Sequence, residues 1–172
     1  MKHAGPIVIT GFMGCGKSKV ARELALRRDV VMVDLDDWIT RRVGRSPARL
    51  INEEGERAFR AIETNELREL LQSGDAGVIA LGGGAWIEEA VRELIDGYGC
   101  TSVWLDTPFA ICWERISASQ EDRPLGRTRE DAQSRYDRRR PIYALAQLHI
   151  PVSNQQTPDD LISIIETKLG SL

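Results

Sequence analysis

The sequence predicts a single α/β domain, a parallel sheet covered by helices on both faces. Two observations carry that reading. Short apolar, β-branched runs alternate with segments of helical periodicity along the whole chain, the pattern that packs helices over a parallel sheet. The first run, Ile7-Val8-Ile9-Thr10, leads straight into Gly11-Phe12-Met13-Gly14-Cys15-Gly16-Lys17-Ser18, which fits the phosphate-binding pattern G-x-x-x-x-G-K-[ST] at every fixed position.

The elements follow in order. After the glycine-rich turn, Val20, Ala21, Leu24 and Ala25 recur at helical spacing. Strand, turn and helix N-terminus together form a nest of backbone N–H groups aimed at a polyphosphate. Lys17 can neutralise its β/γ oxygens, and the Ser18 hydroxyl can ligate Mg2+. The motif therefore implies binding of a nucleoside triphosphate. Val30-Val31-Met32-Val33 reads as the second strand, ending at Asp34, with Asp37 capping a helix that carries Trp38 and Ile39. Ser46-Pro47 opens a short helix toward Asn52, and Gly55 opens a long one. Val78-Ile79-Ala80-Leu81 is the third strand, Ser102-Val103-Trp104-Leu105 the fourth and Leu148-His149-Ile150-Pro151 the fifth. Thr107-Pro108 and Thr157-Pro158 each place an N-cap before a proline at the first helical position.

Ligands of open α/β sheets bind outside the carboxyl ends of the strands, and the sharp motifs fall there. Asp34-Leu35-Asp36 ends the second strand; on an extended segment alternate residues point the same way, so both carboxylates can face one site. Glu56, Arg60 and Glu63 share a face of the long helix. Periodicity alone does not separate a surface ion-pair ladder from a carboxylate clamp in which Glu63 holds Arg60. Gly82-Gly83-Gly84 directly after a buried strand points to close approach of backbone to a ligand. Arg123-Pro124-Leu125 sits in the polar stretch from Ser117 to Arg129, long enough for a lid. Six arginines lie from Arg127 to Arg140, interrupted by Glu130, Asp131 and Asp137, which reads as a solvated helical face.

Composition sets the surroundings. At 172 residues, with 42% hydrophobic and 28% charged side chains, the chain is long enough for one real core. No repeat, low-complexity tract or linker divides it. A net charge of −3 argues against general affinity for nucleic acid or membranes, and no apolar run approaches spanning length. The first strand begins within six residues of Met1, which leaves no room for a signal peptide. Cys15, Cys100 and Cys112 have no metal-ligand spacing, which fits a reducing cytosol. A cytoplasmic monomer acting on a small molecule is the expectation.

Taken together, the motifs resemble shikimate kinase, of the small nucleoside-monophosphate-kinase-like P-loop group. That family runs P-loop, D-x-D, G-E-x-x-F-R-x-x-E, G-G-G and R-P-L, then an arginine two residues before a proline and tyrosine. This chain shows each in order: Gly11 to Ser18, Asp34 and Asp36, Gly55 to Glu63, Gly82 to Gly84, Arg123 to Leu125, and Arg139 with Pro141 and Tyr143. The resemblance covers essentially the whole chain. It implies a three-layer α/β/α P-loop kinase fold with five parallel strands in the order 2-3-1-4-5, an acceptor-binding helical segment over about residues 34–63, and a lid over about 117–129.

The resemblance also implies a site. Gly14, Cys15, Gly16, Lys17, Ser18 and Lys19 would hold ATP, helped by Arg115, Arg123, Asn154 and Gln155. Ser18 and Asp34 would hold Mg2+, and Asp36 would orient the 3-hydroxyl of shikimate. Arg60 and Arg139 would grip the carboxylate, a task suited to guanidinium forks. Gly82, Gly83 and Gly84 would contact the ring hydroxyls, with Lys17, Asp36 and Arg123 as the catalytic groups. Lys19 stands where threonine is commoner in the family, Gly126 where a second leucine is usual, and Gln147 where an acidic residue is common. Two other readings stay open: a kinase of another small carboxylated polyol or sugar acid, and a catalytically silent nucleotide-binding module.

Overall fold

The computed structural model describes residues 5–119 and 128–172. Five strands form one sheet: β1 (Ile7–Thr10), β2 (Met32–Asp34), β3 (Val78–Ala80), β4 (Thr101–Asp106) and β5 (Leu148–Pro151). All pairings are parallel, in the order β2-β3-β1-β4-β5. The central strand β1 is buried at every position, as expected of a strand covered on both faces. Ile7 is in register with Val78 on one side and Thr101 on the other. Thr10, Asp34, Ala80 and Asp106 therefore end their strands along one edge of the sheet.

Helices α1 (Lys17–Arg28), α2 (Leu35–Val43), α3 (Pro47–Glu54) and α4 (Glu56–Ser73) come from the first half of the chain. A 3-10 turn over Ala85–Ile87 leads to α5 (Glu89–Gly97); α6 (Phe109–Ala118), α7 (Arg129–Tyr143) and α8 (Pro158–Leu169) complete the set. Helix α1 buries Val20, Ala21, Leu24 and Ala25, the stripe expected from spacing, and packs on β2, β3 and α8. Thr157 opens α8 with a reciprocal capping box to Asp160, which satisfies two otherwise orphaned N–H groups. Ser46 accepts from the Arg49 N–H and starts α3.

Three local expectations need correction. Val30 and Val31 are 41% and 57% exposed and precede β2; their β-branched character suited a strand, but only Met32 to Asp34 pair with β3. Helix α2 begins at Leu35 with Asp34 as its N-cap, so Asp34-Leu35-Asp36 is not extended and Asp37 lies inside the first turn rather than capping it. Thr107 does not cap α6, whose N-cap is Pro108; its hydroxyl instead donates to the Cys15 carbonyl at 3.1 Å. That bond ties the end of β4 to the glycine-rich turn. Gln147 also acquires a role: its side-chain Oε1 accepts the Ser102 N–H at 3.1 Å, while its backbone N–H donates to Ser102 Oγ at 3.0 Å. A neutral amide can do this where a carboxylate would bring charge beside a buried serine.

Among the described residues no helix is long and apolar enough to cross a membrane.

Candidate active site

The glycine-rich turn closes around its own lysine. Lys17 Nζ donates to the carbonyls of Gly11 and Phe12, each at 3.0 Å, and lies 3.8 Å from Cys15 Sγ. Gly16 has φ 98°, a region that side chains other than glycine's rarely enter, and its backbone hands the chain into α1. Arg115 on α6 donates to the Gly14 carbonyl at 3.2 Å.

Asp34 has two duties. Its Oδ2 accepts from Ser18 Oγ at 2.6 Å, while its Oδ1 accepts the Asp36 N–H at 3.0 Å as the N-cap of α2. The first turn of that helix, rather than strand alternation, brings Asp36 to the same cleft as Asp34. Burial, then the Asp34 charge, raise the Asp36 carboxyl to about 6, against the lowering pull of Lys17 and Arg60. At neutral pH it remains mostly ionised and close to the range in which a base accepts a proton readily.

Helix α4 places Arg60 between two carboxylates. Its buried stripe is Phe59, Glu63, Glu66, Leu67, Leu70 and Leu71, so two carboxylates lie among apolar groups. Each apolar member contributes roughly 1.5–3 kcal/mol at most; each glutamate must find a cation or lose its charge. Glu66 takes Arg42 at 2.6 Å and the Trp38 indole N–H at 3.2 Å. Glu63, fully buried, takes Arg60 at 2.6 Å, and Arg60 also reaches Glu56 at 3.3 Å. Burial still pushes Glu63 up to about 7 despite that partner. Its other oxygen, Oε1, is buried without a hydrogen-bond partner among the described residues.

The glycine triplet fits between these parts. A Cβ on Gly82 would come within 2.8 Å of Asp36 Oδ1, one on Gly83 within 3.3 Å of the Met13 backbone nitrogen, and one on Gly84 would collide with the Arg60 guanidinium. The triplet thus packs against the phosphate loop, α2 and α4 at once. Gly84→Ala should displace Arg60 and raise the KM of a carboxylate-bearing acceptor about 10-fold, the loss of one imperfectly held ionic hydrogen bond. An unchanged acceptor KM would show that the close fit is not functional.

Arg139 on α7 donates to the Gly83 carbonyl at 3.2 Å. Tyr143 donates to the same carbonyl, and Trp86 Nε1 donates to the Ile142 carbonyl at 2.9 Å. The end of α7 is therefore fastened to the triplet, and a cleft of about 1110 Å³ brings together Lys17, Asp34, Asp36, Arg60, Gly82 and Arg139.

A family model for shikimate kinase matches residues 13–169. The chain belongs to the shikimate kinase family. It is 37% identical over 163 residues to the shikimate kinase of Streptococcus thermophilus, covering 92% of this chain and 97% of that one. The shikimate kinase of Thermobifida fusca is 37% identical over 165 residues, covering 94% and 93%. Among solved structures, shikimate kinase from Acinetobacter baumannii in complex with shikimate superposes with a TM-score of 0.88 at 32% identity, covering 99% of this chain and 95% of that one. A gluconokinase from Sinorhizobium meliloti, at 17% identity and a TM-score of 0.69, shares the fold.

Within the architecture of that family, the expected site residues separate into groups. Gly14, Gly16, Lys17, Ser18 and Lys19 line the cleft with the acceptor-side groups, and Cys15 lies buried behind them. Arg115 stands beside the loop. Asn154 and Gln155 are exposed after β5 and are not among the residues lining the cleft. Arg123 and Gly126 lie outside the described residues; of the expected lid segment, Ser117 and Ala118 end α6 and Arg129 begins α7. Sequence reasoning did not find the wall contributed by Pro47, Ile51 and Phe59, or by Met13 of the loop itself. The amphipathic short helix α3 was the available signal, since its buried Leu50 turns Pro47 and Ile51 toward partly covered positions.

Proposed function

We propose that this chain transfers the γ-phosphoryl group of ATP to the 3-hydroxyl of shikimate. The observation that carries this reading is the cleft itself: a phosphate-loop lysine, an elevated carboxyl and two guanidinium groups meet there. A nucleotide acceptor would call for a base pocket, whereas a small carboxylated polyol uses those groups together. Ser18 Oγ and Asp34 Oδ2, 2.6 Å apart, are hard oxygen donors of the kind Mg2+ takes alongside substrate phosphates; bound there, the ion would neutralise charge developing between the β- and γ-phosphates.

The chain's own residues divide the remaining work. Arg60 and Arg139 hold the acceptor carboxylate and so orient the ring. Asp36 accepts the proton of the 3-hydroxyl as its oxygen bonds to phosphorus and the bond to ADP breaks. The free Oε1 of Glu63 offers an acceptor for a second ring hydroxyl. Lys17 exchanges its loop carbonyls for phosphate oxygens, and Arg123 fills the part of a lid cation.

The test is ADP release with shikimate and a panel of other carboxylated polyols, with the product's phosphate located by NMR. Shikimate-dependent release with phosphate on the 3-hydroxyl is expected. Preference for another acid, or release independent of any acceptor, would overturn the reading. The pH profile supplies a second check. The Asp36 charge helps raise Glu63, so the two titrations are coupled. Protonation on the acid side removes the base and loosens Arg60. The acidic limb of kcat/KM should thus fall between about 6 and about 7, with activity lost as pH drops. A limb near the ordinary carboxylate value would remove Asp36 from the role.

A further inference from the structure

The run of arginines on α7 does not form the uniformly solvated face its sequence predicts. Arg129, Arg138 and Arg140 are exposed, whereas Arg135 and Arg139 are half-buried. Helical spacing explains the split. Ala132 and Tyr143 are buried, Tyr136 donates to the Thr107 carbonyl at 3.0 Å, and Arg139 donates to the Gly83 carbonyl. Arg135 falls on this inward stripe, one turn before Arg139, where side chains four residues apart are neighbours.

Three other arginines near the clamp are provided for. Arg60 has Glu63 and Glu56, Arg139 has Gly83, and Arg140 has Asp106 at 2.8 Å. Among the described residues Arg135 Nε is buried with no hydrogen-bond partner. Its electrostatic neighbours are Arg139, Glu56, Arg138 and Arg60, which makes three cations and one anion. That anion, Glu56, is already shared with Arg60. Burial and the adjacent guanidinium groups push Arg135 below its ordinary value. A partly desolvated cation beside like charges is unfavourable in the empty protein, and an anion arriving between α4 and α7 relieves it.

We infer that Arg135 is a third anion-recognition residue of the acceptor site, its charge adding to those of Arg60 and Arg139 to set affinity for a carboxylate-bearing acceptor. This rests on the acceptor reading proposed above. Arg135 acts on binding rather than on phosphoryl transfer, because the charges it feels most are those of Arg139, Glu56, Arg138 and Arg60. It also favours an acid over its uncharged counterpart, since a neutral polyol gains nothing from the extra cation.

The test compares Arg135→Leu, which keeps an apolar stem, with Arg135→Lys, which keeps the charge, in steady-state kinetics at low and high salt. The leucine variant should raise the shikimate KM about 10-fold at low salt, with kcat within about two-fold and ATP affinity of the acceptor-free protein unchanged. The difference should shrink at high salt, and lysine should restore most of the loss. Shikimate methyl ester, lacking the charge, should show no difference between wild type and Arg135→Leu. Should the leucine variant fail to fold, Arg135→Gln replaces it in the same comparison. An unmoved KM, a lysine variant no better than leucine, or a parallel loss of ATP affinity would overturn the inference. Shikimate turnover by the unmodified protein decides the acceptor reading separately, so turnover with an unmoved KM in Arg135→Leu sinks this inference alone.

Discussion

Replacing Lys17 by alanine should lower kcat by on the order of 1000-fold, about 4 kcal/mol of transition-state stabilisation. Lys19 also lines the cleft, but three other cations near the loop and the acceptor-side groups are committed elsewhere. Arg60 is held by Glu63 and Glu56, Arg139 lies against Gly83, and Arg115 is bonded to the Gly14 carbonyl. Charge spreads over the γ-phosphoryl oxygens as they transfer, so a positioned cation gains most in the transition state. In the free protein Lys17 also bridges the carbonyls of Gly11 and Phe12, and its loss should loosen the turn. Nucleotide binding measured by a fluorescent ATP analogue will therefore weaken too, but by less than kcat. Turnover within a few fold of wild type would remove the site assignment.

Arg139→Ala should raise the shikimate KM by about 30- to 1000-fold, corresponding to about 2–4 kcal/mol for a partly desolvated ionic contact. ATP affinity measured without acceptor should be nearly intact. Arg60→Ala should show the same kinetic pattern with an added structural cost. Its partner Glu63 is fully buried, and removing one member of a buried pair strands the other. Burial already drives the Glu63 carboxyl upward, and Arg60 is the group that opposes this. In Arg60→Ala the carboxyl should stay protonated at neutral pH. Thermal unfolding should then report a lower Tm for Arg60→Ala than for Arg139→Ala. Loss of ATP binding with acceptor affinity preserved, in either variant, would show that these arginines serve the nucleotide instead. Arg60→Lys should rescue only part of the loss, because a single ammonium cannot match a fork.

Much of this was legible in the sequence because local rules and tertiary needs agreed. The β-branched run before Gly11 and the apolar spacing after Ser18 locate β1 and α1 without any knowledge of their neighbours. Proline after a hydroxyl residue located the starts of α3 and α8. The same rule failed at Thr107, where the hydroxyl had a tertiary partner in the Cys15 carbonyl. Alternation failed at Asp34 to Asp36 because the chain turns into a helix as soon as Asp34 can cap it. The clamp could not be separated from a surface ladder by periodicity, since spacing carries no information about burial. What separates them is Glu63, which lies in line with Phe59, Leu67 and Leu70 on the buried stripe of α4. Arg135 was hidden for a related reason: six arginines in one stretch look alike until the inward face of α7 is known.

The divided carboxylate of Asp34 gives the two halves of the cleft a common hinge point. One oxygen receives Ser18 at the head of α1, and the other anchors the backbone of Asp36 at the head of α2. On the proposed reading, the nucleotide side and the acceptor's base share one side chain, so occupancy of either half should be felt by the other. Thermodynamic linkage makes such communication reciprocal. The affinity for ATP and the affinity for the acceptor are then not separate constants, and their product depends on a residue that takes no part in breaking or forming a bond. An amide at position 34 would remove the charge and one of the two acceptor oxygens, so turnover should fall through the proposed metal site and the coupling between the two ligands should weaken with it.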